Sequence, residues 1–404
     1  MRVAEVFQGE VGHDGPALAQ ELIRRGVDLH VVCAPWAGAA FEAAGAEVSR
    51  QSVGTGVASL TALRRVLAAV DVIHAHGVRA GLAATLARTG GTPLVLSWTE
   101  PVALAGAAGL VGRALTRTVM PATAAVLAAT TELVDAARHL GATEVLLVPP
   151  VLPDAPRPGR TPEQVRDELA LPADGPVVLA QARLVHESRL DVLVEACARW
   201  RGAGGPRVVL VGVGPAYRDL VARATVARAP VTFAGERGEQ ARGDGRTDPL
   251  GAGQADAGRA TDDRASLSDL LAAATLAVVT DVHARPGFAL SAVRSSVPIV
   301  VPQGGSVARL LGGEAGAGDG VVVVPPGDVD ALDAAVRALL DDPVARADLA
   351  AAAWERVRTW PDAASMAVDL VRLYERVAQR PAADLAEPEP GEQDADADTP
   401  GRGR

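Results

Sequence analysis

Short apolar segments alternate with helix-like stretches along most of this chain, and this alternation constrains its fold more than any other feature. In the first half the apolar segments cover residues 3–7, 29–33, 72–74 and 94–96, and a stretch rich in Ala and Leu covers 16–25. Strands buried on both faces have this apolar character and occur in parallel sheets covered by helices. The pattern therefore predicts an α/β fold.

The pattern stops at residues 148–160 and then starts again. This segment contains five prolines, and so dense a group of prolines is typical of a linker. Further apolar segments follow at 177–180, 207–211, 231–234, 276–280, 299–301 and 321–324. Because each half repeats the same alternation, we predict two Rossmann-like domains, 1–150 and 151–360.

Two segments lack the composition of a folded core. Residues 236–265 are rich in Gly, Asp and Arg, with Leu250 as the only large apolar residue, and 380–404 form an acidic tail. Neither can bury enough apolar surface to offset its ordering entropy, so we predict a disordered insertion and a disordered tail. The D-A-D-A-D run of the tail is interpreted as solvated rather than metal-binding. An amphipathic pattern at 363–377, after Trp360, predicts a helix.

Composition narrows the class of function. The formal net charge is −10, but seven carboxylates lie between Asp384 and Asp398, so the folded body is close to neutral. With no basic stripe and only 3% aromatic residues, the chain is not predicted to bind nucleic acid. It has no lysine, which excludes a P-loop lysine and a pyridoxal Schiff base. Cys33 and Cys197 are isolated in apolar settings, and we predict that both are buried and inert.

No apolar run reaches the roughly eighteen residues that a membrane helix needs. The chain also opens directly on a strand-like segment instead of a basic and then apolar leader. We therefore expect a cytoplasmic protein.

Residues 182–196, A-R-L-V-H-E-S-R-L-D-V-L-V-E-A, form the most informative motif. Five further blocks stand in series: D-V-I-H-A-H-G-V-R-A-G at 71–81, L-V-G-V-G-P at 210–215, V-T-F-A-G at 231–235, V-P-I-V-V-P-Q-G-G at 297–305 and V-V-V-V-P-P-G-D-V-D-A-L at 321–332. Together they resemble the family 4 glycosyltransferases of the GT-B fold, over about residues 1–378. The resemblance implies two Rossmann-like domains facing a cleft, with the C-terminal helix crossing back to the first domain.

The resemblance places the donor diphosphate beside residues 183–189. Arg183 matches the family arginine, whereas Ser188 stands where the family has lysine and Arg189 where it has glycine. A guanidinium can hold diphosphate oxygens by two charge-assisted hydrogen bonds, so we predict that Arg183 binds the donor and assists catalysis. The alternative for Arg183 is a surface salt bridge. Arg189 reaches the same anion only if the helix start is shifted, and otherwise lies on a solvated helix face.

Glycines near helix starts let backbone amides approach an anion. Gly212 and Gly214, followed by Pro215, either let the nucleotide pass over a strand end or form a tight turn without a ligand. Gly12 and Gly15 resemble a degraded form of the glycine loop that faces the donor phosphate from the first domain, and a plain turn is the alternative.

The family carries two glutamates eight residues apart, one at the donor sugar and one at the ribose. Counting back from V-P at 297–298 places them on His283 and Ser291. Counting from G-F at Gly287 and Phe288 places them on Pro286 and Arg294. Neither register has a carboxylate. We assign Gly287, Phe288 and Ser291 to the donor site and His283 to the catalytic candidates.

On the first domain, a family histidine that faces the sugar falls near Thr99, a catalytic candidate whose only ionisable neighbour is Glu100. His76 either lines the cleft on the acceptor side, together with Glu100, or packs structurally.

The resemblance implies transfer of a sugar from a nucleoside diphosphate sugar to an acceptor, with retention, no cofactor and no obligatory metal. The missing lysine and glutamates favour a rival, a non-catalytic relative that acts as a binding or scaffold partner of an active glycosyltransferase. A sugar-nucleotide epimerase ranks last, because no set of cleft carboxylates and histidines supports it. Residues 102–114 are apolar and are interpreted either as a peripheral membrane contact or as a buried helix.

Overall fold

The computed structural model describes residues 1–8, 14–99, 106–200, 204–235, 264–312, 316–317 and 320–379. Gly12, Glu100, the acidic tail and the insertion up to residue 263 lie outside these ranges, so the predictions made for them are not addressed by the structure. In the described part of the chain, no helix is long and apolar enough to cross a membrane.

Seven parallel strands form the first sheet, in the order β3-β2-β1-β4-β5-β6-β7. The strands are β1 Arg2–Phe7, β2 Asp28–Cys33, β3 Glu47–Arg50, β4 Val72–His76, β5 Leu94–Trp98, β6 Ala125–Ala128 and β7 Val145–Leu147. Its first six helices are α1 Asp14–Arg24, α2 Gly38–Ala43, α3 Val57–Leu67, α4 Val78–Ala87, α5 Gly106–Val119 and α6 Thr131–His139. The sheet has an apolar core on each face, which explains the apolar character of its strands.

A second sheet of seven strands has the order β10-β9-β8-β11-β12-β14-β13, with only β13 antiparallel to its neighbour. The strands are β8 Val177–Gln181, β9 Arg207–Val211, β10 Val231–Gly235, β11 Leu276–Val278, β12 Ile299–Pro302, β13 Gly316–Ala317 and β14 Val322–Val324. The helices are α7 Pro162–Glu168, α8 Leu190–Cys197, α9 Tyr217–Ala227, α10 Leu267–Ala273, α11 Gly287–Arg294, α12 Ser306–Leu311, α13 Val329–Asp341 and α14 Pro343–Val357. Both faces of this sheet are again covered by apolar cores.

The linker passes from one core to the other within two residues. Val151 is buried in the first-domain core and Leu152 in the second-domain core. The Leu152 N–H donates a 2.8 Å hydrogen bond to the carbonyl of Pro361, just before the last helix, α15 Ala363–Ala378. The apolar face of α15, including Met366, packs into the first-domain core. The predicted C-terminal helix therefore crosses back to the first domain.

Two sequence predictions need comment. Ala265, which we had placed in the disordered insertion, is buried in the second core, and its N–H donates to the Glu168 carboxylate at 2.9 Å. The folded chain therefore resumes before the helix α10, because Ala265 packs beside the helix cap at Ser266. Cys33 and Cys197 are buried free thiols, as predicted, and burial raises their pKa values to about 11 and about 12.

Candidate functional site

Each sheet has one point, called the switch point, from which successive strands are added first towards one edge of the sheet and then towards the other. In the first sheet this switch point lies between β1 and β4, and in the second it lies between β8 and β11. In open α/β sheets, ligands bind beyond the carboxyl ends of the strands at this point, because the connections there diverge and leave a crevice. The residues that follow these four strands are therefore the candidates for a site.

Arg183 follows β8 at the second switch point. Its side chain is exposed, and in the described part of the chain it makes no hydrogen bond and no ion pair. The loop that carries it is nevertheless fixed, since the next residue, Leu184, is buried and its N–H donates to the Val213 carbonyl at 3.0 Å. The guanidinium is thus carried on a fixed backbone, and no carboxylate of the described residues pairs with it.

Gly212 and Gly214 lie where the loop after β9 packs against the loop that carries Arg183. A Cβ at Gly212, where φ is +143°, would lie 1.9 Å from the Ala182 carbonyl oxygen, and one at Gly214 would lie 2.3 Å from the Leu184 carbonyl oxygen. No side chain fits at either position. Packing of the two loops alone therefore requires glycine, whether or not a nucleotide passes over them, and the following Pro215 is exposed.

The positions of the family lysine and glycine are occupied in an unusual way. Ser188 is 2% exposed, and its carbonyl accepts a 2.6 Å hydrogen bond from the Thr280 hydroxyl. Arg189 takes up the left-handed backbone conformation with φ +51°, which is otherwise suited to glycine. Its Nε lies 3.4 Å from a carboxylate oxygen of Asp191, and its guanidinium packs against Gly327 after β14. Arg189 is therefore partly committed to contacts within the domain.

The loop after β11 reaches the same switch point. The Asp281 carboxylate accepts a 2.7 Å hydrogen bond from the His283 N–H, while the side chains of His283 and Arg285 are exposed. Pro286 precedes the first residue of α11, Gly287, and the half-buried Ser291 donates its hydroxyl back to the Gly287 carbonyl at 2.9 Å.

Phe288, which we had assigned to the donor site, has its side chain in the second-domain core and is only 6% exposed. Its position is explained by packing, because it is part of the apolar face that anchors α11.

A buried polar cluster that the sequence analysis missed lies at the first switch point. Glu5 of β1 is 1% exposed, and one of its carboxylate oxygens lies 3.9 Å from His74 Nδ1 and 3.9 Å from His76 Nε2 on β4. His76 stacks on Phe7 with 4.0 Å between ring centroids. The only signal in the sequence was a carboxylate in the middle of an apolar strand, R-V-A-E-V-F.

Burial shifts the pKa values of this cluster. Loss of hydration raises the pKa of Glu5 to about 7. It lowers the pKa of His74 to about 3 and that of His76 to about 4. Among the described residues, the facing atoms Glu5 Oε1 and His76 Nε2 have no hydrogen-bond partner. These two buried polar atoms, 3.9 Å apart, are therefore too distant for a direct hydrogen bond.

Glu5, His74 and His76 offer three ligand atoms within 4.8 Å of one another. However, His74 already uses both ring nitrogens, which lie 2.6 Å from the Tyr374 hydroxyl and 2.8 Å from the Ser97 hydroxyl. Catalytic zinc sites use three protein ligands, and only two are free here. The cluster is better suited to hold a proton than a metal ion.

The two switch points face each other across a cleft. Burial chiefly lowers the pKa of His76 on the first domain; the negative charge of Asp14 opposes this shift, and the positive charge of Arg285, on the second domain, adds to it. Glu132 of the first domain and Arg309 of the second form another electrostatic pair between the domains. The hydrogen bond to Thr130 chiefly lowers the pKa of Glu132, and the charge of Arg309 adds to this effect. Thr99 is exposed directly after β5. The His76 side chain is 23% exposed and also packs on Phe7, so its place in the cleft stays a prediction.

One residue of the predicted glycine loop can be placed. Gly15 lies in the first turn of α1 rather than in a loop before it.

Known proteins share this architecture. Residues 16–151 match the family profile of the glycosyl transferase 4-like domain. The structure of Anabaena Alr3699/HepE in complex with UDP-glucose is 16% identical, with a TM-score of 0.69, and the match covers 93% of this chain and 100% of that one. Sucrose-phosphate synthase from Thermosynechococcus elongatus is also 16% identical, with a TM-score of 0.66 and coverage of 93% and 99%.

WaaG, a glycosyltransferase involved in lipopolysaccharide biosynthesis, is 15% identical, with a TM-score of 0.61 and coverage of 93% and 98%. No curated protein sequence matches the chain. The predicted GT-B fold is confirmed by these likenesses, which extend over both domains.

Proposed function

We propose that this chain, which has the GT-B fold and a first domain of the glycosyl transferase 4-like type, transfers a sugar from a nucleoside diphosphate sugar to an acceptor. The donor lies at the second-domain switch point and the acceptor on the first domain. UDP-glucose in the HepE structure makes uridine nucleotides the first donors to test.

The observation that carries this proposal is the free charge of Arg183. A guanidinium that is held on a fixed loop at a switch point, without an ion pair in the described part of the chain, is available for an anionic ligand. Donor phosphates carry such charge, and a planar guanidinium binds two of their oxygens at once.

The chemistry follows from the same geometry. The bond between the anomeric carbon and the diphosphate oxygen breaks, and the diphosphate leaves with the electron pair. The acceptor hydroxyl oxygen forms the new bond to the anomeric carbon, and its proton passes to the leaving diphosphate. Arg183 stabilises the charge that develops on the leaving diphosphate, a role that is strongest where water is excluded. We propose that the anomeric configuration is retained, as the family resemblance implies.

A second candidate is a non-catalytic relative that binds a nucleotide or a partner glycosyltransferase. The buried Ser188 at the lysine position and the lack of a carboxylate at His283, Ser291, Pro286 and Arg294 favour it. One preorganised electrostatic contact is typically worth a factor of about 10²–10³ in rate, so the loss of several would leave little activity.

Ligand binding tests the proposal first. We expect one of UDP, GDP and ADP, or its sugar conjugate, to raise the melting temperature of the purified protein, because a ligand that binds the native state stabilises it. Arg183→Ala should abolish the shift, whereas Arg218→Ala, which removes an exposed and unpaired charge on α9, should keep it.

Activity then separates the two candidates. With the nucleotide sugar that binds, release of the nucleoside diphosphate should fall at least about 100-fold in Arg183→Ala and stay unchanged in Arg218→Ala. Unchanged turnover in Arg183→Ala would contradict the assignment of the diphosphate site. Binding without turnover by the wild-type protein would favour the non-catalytic candidate.

The sugar, the acceptor and a cytoplasmic location stay predictions. So do the peripheral membrane contact and the partner glycosyltransferase.

A further inference from the structure

We infer that Arg285 is the second cation that holds the donor diphosphate, together with Arg183, and replaces the lysine that this chain lacks. The inference rests on the proposed function and adds a donor-binding residue to it. Four arguments carry it: the position of Arg285, the engagement of the other arginines, the burial of Ser188 and the charge of the ligand.

Arg183 and Arg285 lie on loops that follow neighbouring strands. β8 and β11 are paired in parallel, with Val178 beside Leu276 and Leu179 beside Ala277. The two loops are tied together beyond the strands by the hydrogen bond from the Thr280 hydroxyl to the Ser188 carbonyl. Arg183 and Arg285 therefore stand on two loops that border the same switch point, one on each side of it.

The other arginines near this edge of the sheet are engaged. Arg189 lies beside Asp191 and packs against Gly327. Arg309 donates a hydrogen bond to the Gly304 carbonyl. Among the arginines on the described part of the loops after β8, β11 and β12, only Arg183 and Arg285 have neither a side-chain hydrogen bond nor an ion pair. Their two charges match the two negative charges of a diphosphate ester.

The carboxylate nearest to Arg285 in sequence does not neutralise it. One oxygen of Asp281 accepts from the His283 N–H, and no carboxylate lies within ion-pair distance of Arg285 in the residues that the structure describes. On the opposite wall, burial keeps the His76 imidazole neutral, so it does not compete for the anion. Arg285 is therefore a cation without an ion pair among the described residues, and its charge acts on His76 of the first domain.

Position 188 cannot supply the charge. Ser188 is buried, and its carbonyl fixes the neighbouring loop, so the backbone there serves the packing of the switch point. A cation that binds the diphosphate must come from another loop, and the loop after β11 provides one. The chain thus keeps two cations at the site while it has lost the lysine.

Nucleotide titrations test the inference. The dissociation constants of UDP, GDP and ADP, each with its monophosphate, are measured by calorimetry for the wild-type protein, Arg285→Gln and the control Arg218→Gln, which removes the same charge from an exposed site. We expect Arg285→Gln to weaken the preferred diphosphate at least about tenfold and its monophosphate less than about threefold, since the lost contact is charge-assisted. Arg218→Gln should change neither.

The outcomes separate the inference from the proposed function. If the wild-type protein binds a nucleoside diphosphate and Arg285→Gln binds it equally well, the role of Arg285 is overturned while the proposed function stands. If neither the wild-type protein nor Arg218→Gln binds any nucleoside diphosphate, the proposed function fails, and the inference fails with it. A circular dichroism spectrum that matches the wild type shows that Arg285→Gln is folded.

Discussion

Glu5 is a carboxyl group buried in an apolar core, where its charged form destabilises the folded protein. Its carboxyl group lies in the apolar layer under α1 and α15, where hydration is lost and only neutral or weakly basic groups surround it. The folded protein therefore favours the protonated form, and burial raises the pKa of Glu5 from 4.5 to about 7. Because the folded state binds this proton more tightly than the unfolded state, the carboxyl destabilises the fold as the pH rises from about 4.5 to 7.

Glu5→Gln should remove this pH dependence. We expect the difference in unfolding free energy, variant minus wild type, to rise by about 3 kcal/mol from pH 5 to pH 8, as the pKa difference implies. Urea unfolding at four pH values measures it. His74 and His76 also destabilise the folded protein below pH 6.5, because their pKa values are lowered by folding. Both proteins contain these histidines, so their effect on the unfolding free energy largely cancels in the comparison.

Glu375→Gln, on the exposed side of α15, is the matched control and should show no such trend. A constant difference between Glu5→Gln and the wild type across the pH range would mean that Glu5 is charged in the folded protein at pH 5.

The loop after β9 shows how an element can depend on the absence of a side chain. Gly212 combines a positive φ with a backbone oxygen where its Cβ would lie, whereas Gly90 has a positive φ of +70° and open space around it. Strain alone costs about 1–2 kcal/mol, and a clash with backbone adds to it. The two glycines therefore separate conformational strain from loop packing.

We expect Gly212→Ala to lower the unfolding free energy by about 3 kcal/mol or more and Gly90→Ala by about 1–2 kcal/mol. Thermal and urea unfolding of both variants measures the difference. Gly212→Ala should also abolish nucleotide binding, because the displaced loop carries Arg183. Equal losses of stability in the two variants would contradict the account of close loop packing.

The strands that could be predicted from the sequence are those whose apolar runs are flanked by turns. β8 and β9, for example, were predicted to within one residue of their observed ends. β3 was missed because its sequence, E-V-S-R, is polar and half-exposed at the sheet edge. β6 was missed because A-V-L-A stands in an alanine-rich stretch that is equally typical of a helix.

The candidate site was predictable only where a motif carries it. Arg183 stands in a recognisable block, so its position at a strand end followed from the sequence. The positions of Glu5 and Arg285 in the candidate site could not be predicted from the sequence, because they depend on which strands are neighbours and on how the two domains face each other. A local sequence pattern does not show that β1 pairs with β4, or that the charge of Arg285 acts on His76.

At the scale of the whole molecule, the two domains are joined at one point where the chain crosses twice. The linker leaves the first core at Val151, and the chain returns after Trp360 to place α15 on the first domain. The Leu152 N–H and the Pro361 carbonyl join these two crossings. Any motion that opens the cleft must bend the chain here, since the described helices on either side belong to separate cores.

Arg294 fixes this crossing from the second domain. Its Nε donates to the Pro153 carbonyl at 3.2 Å, and its guanidinium lies 5.2 Å from the ring centroid of Trp354. Hydrogen bonds from Ser365 chiefly lower the pKa of Asp362, and Arg294 adds to this effect. One side chain therefore contacts the linker and the helix α14, and its charge acts on Asp362 at the start of the returning segment.

Arg294→Ala should release the contacts with Pro153 and Trp354 together and remove the charge that acts on Asp362. We expect the unfolding free energy to fall by about 2 kcal/mol, from the lost hydrogen bond and the lost cation–π contact. We also expect a wider distribution of interdomain distances in small-angle X-ray scattering. Arg358→Ala is the control: Arg358 is exposed and, among the described residues, pairs only with Glu355, so its loss should change stability by less than about 0.5 kcal/mol. If Arg294→Ala loses stability while the scattering stays unchanged, Arg294 supports the second domain alone, and the angle between the domains is set by the paired crossings and not by this side chain.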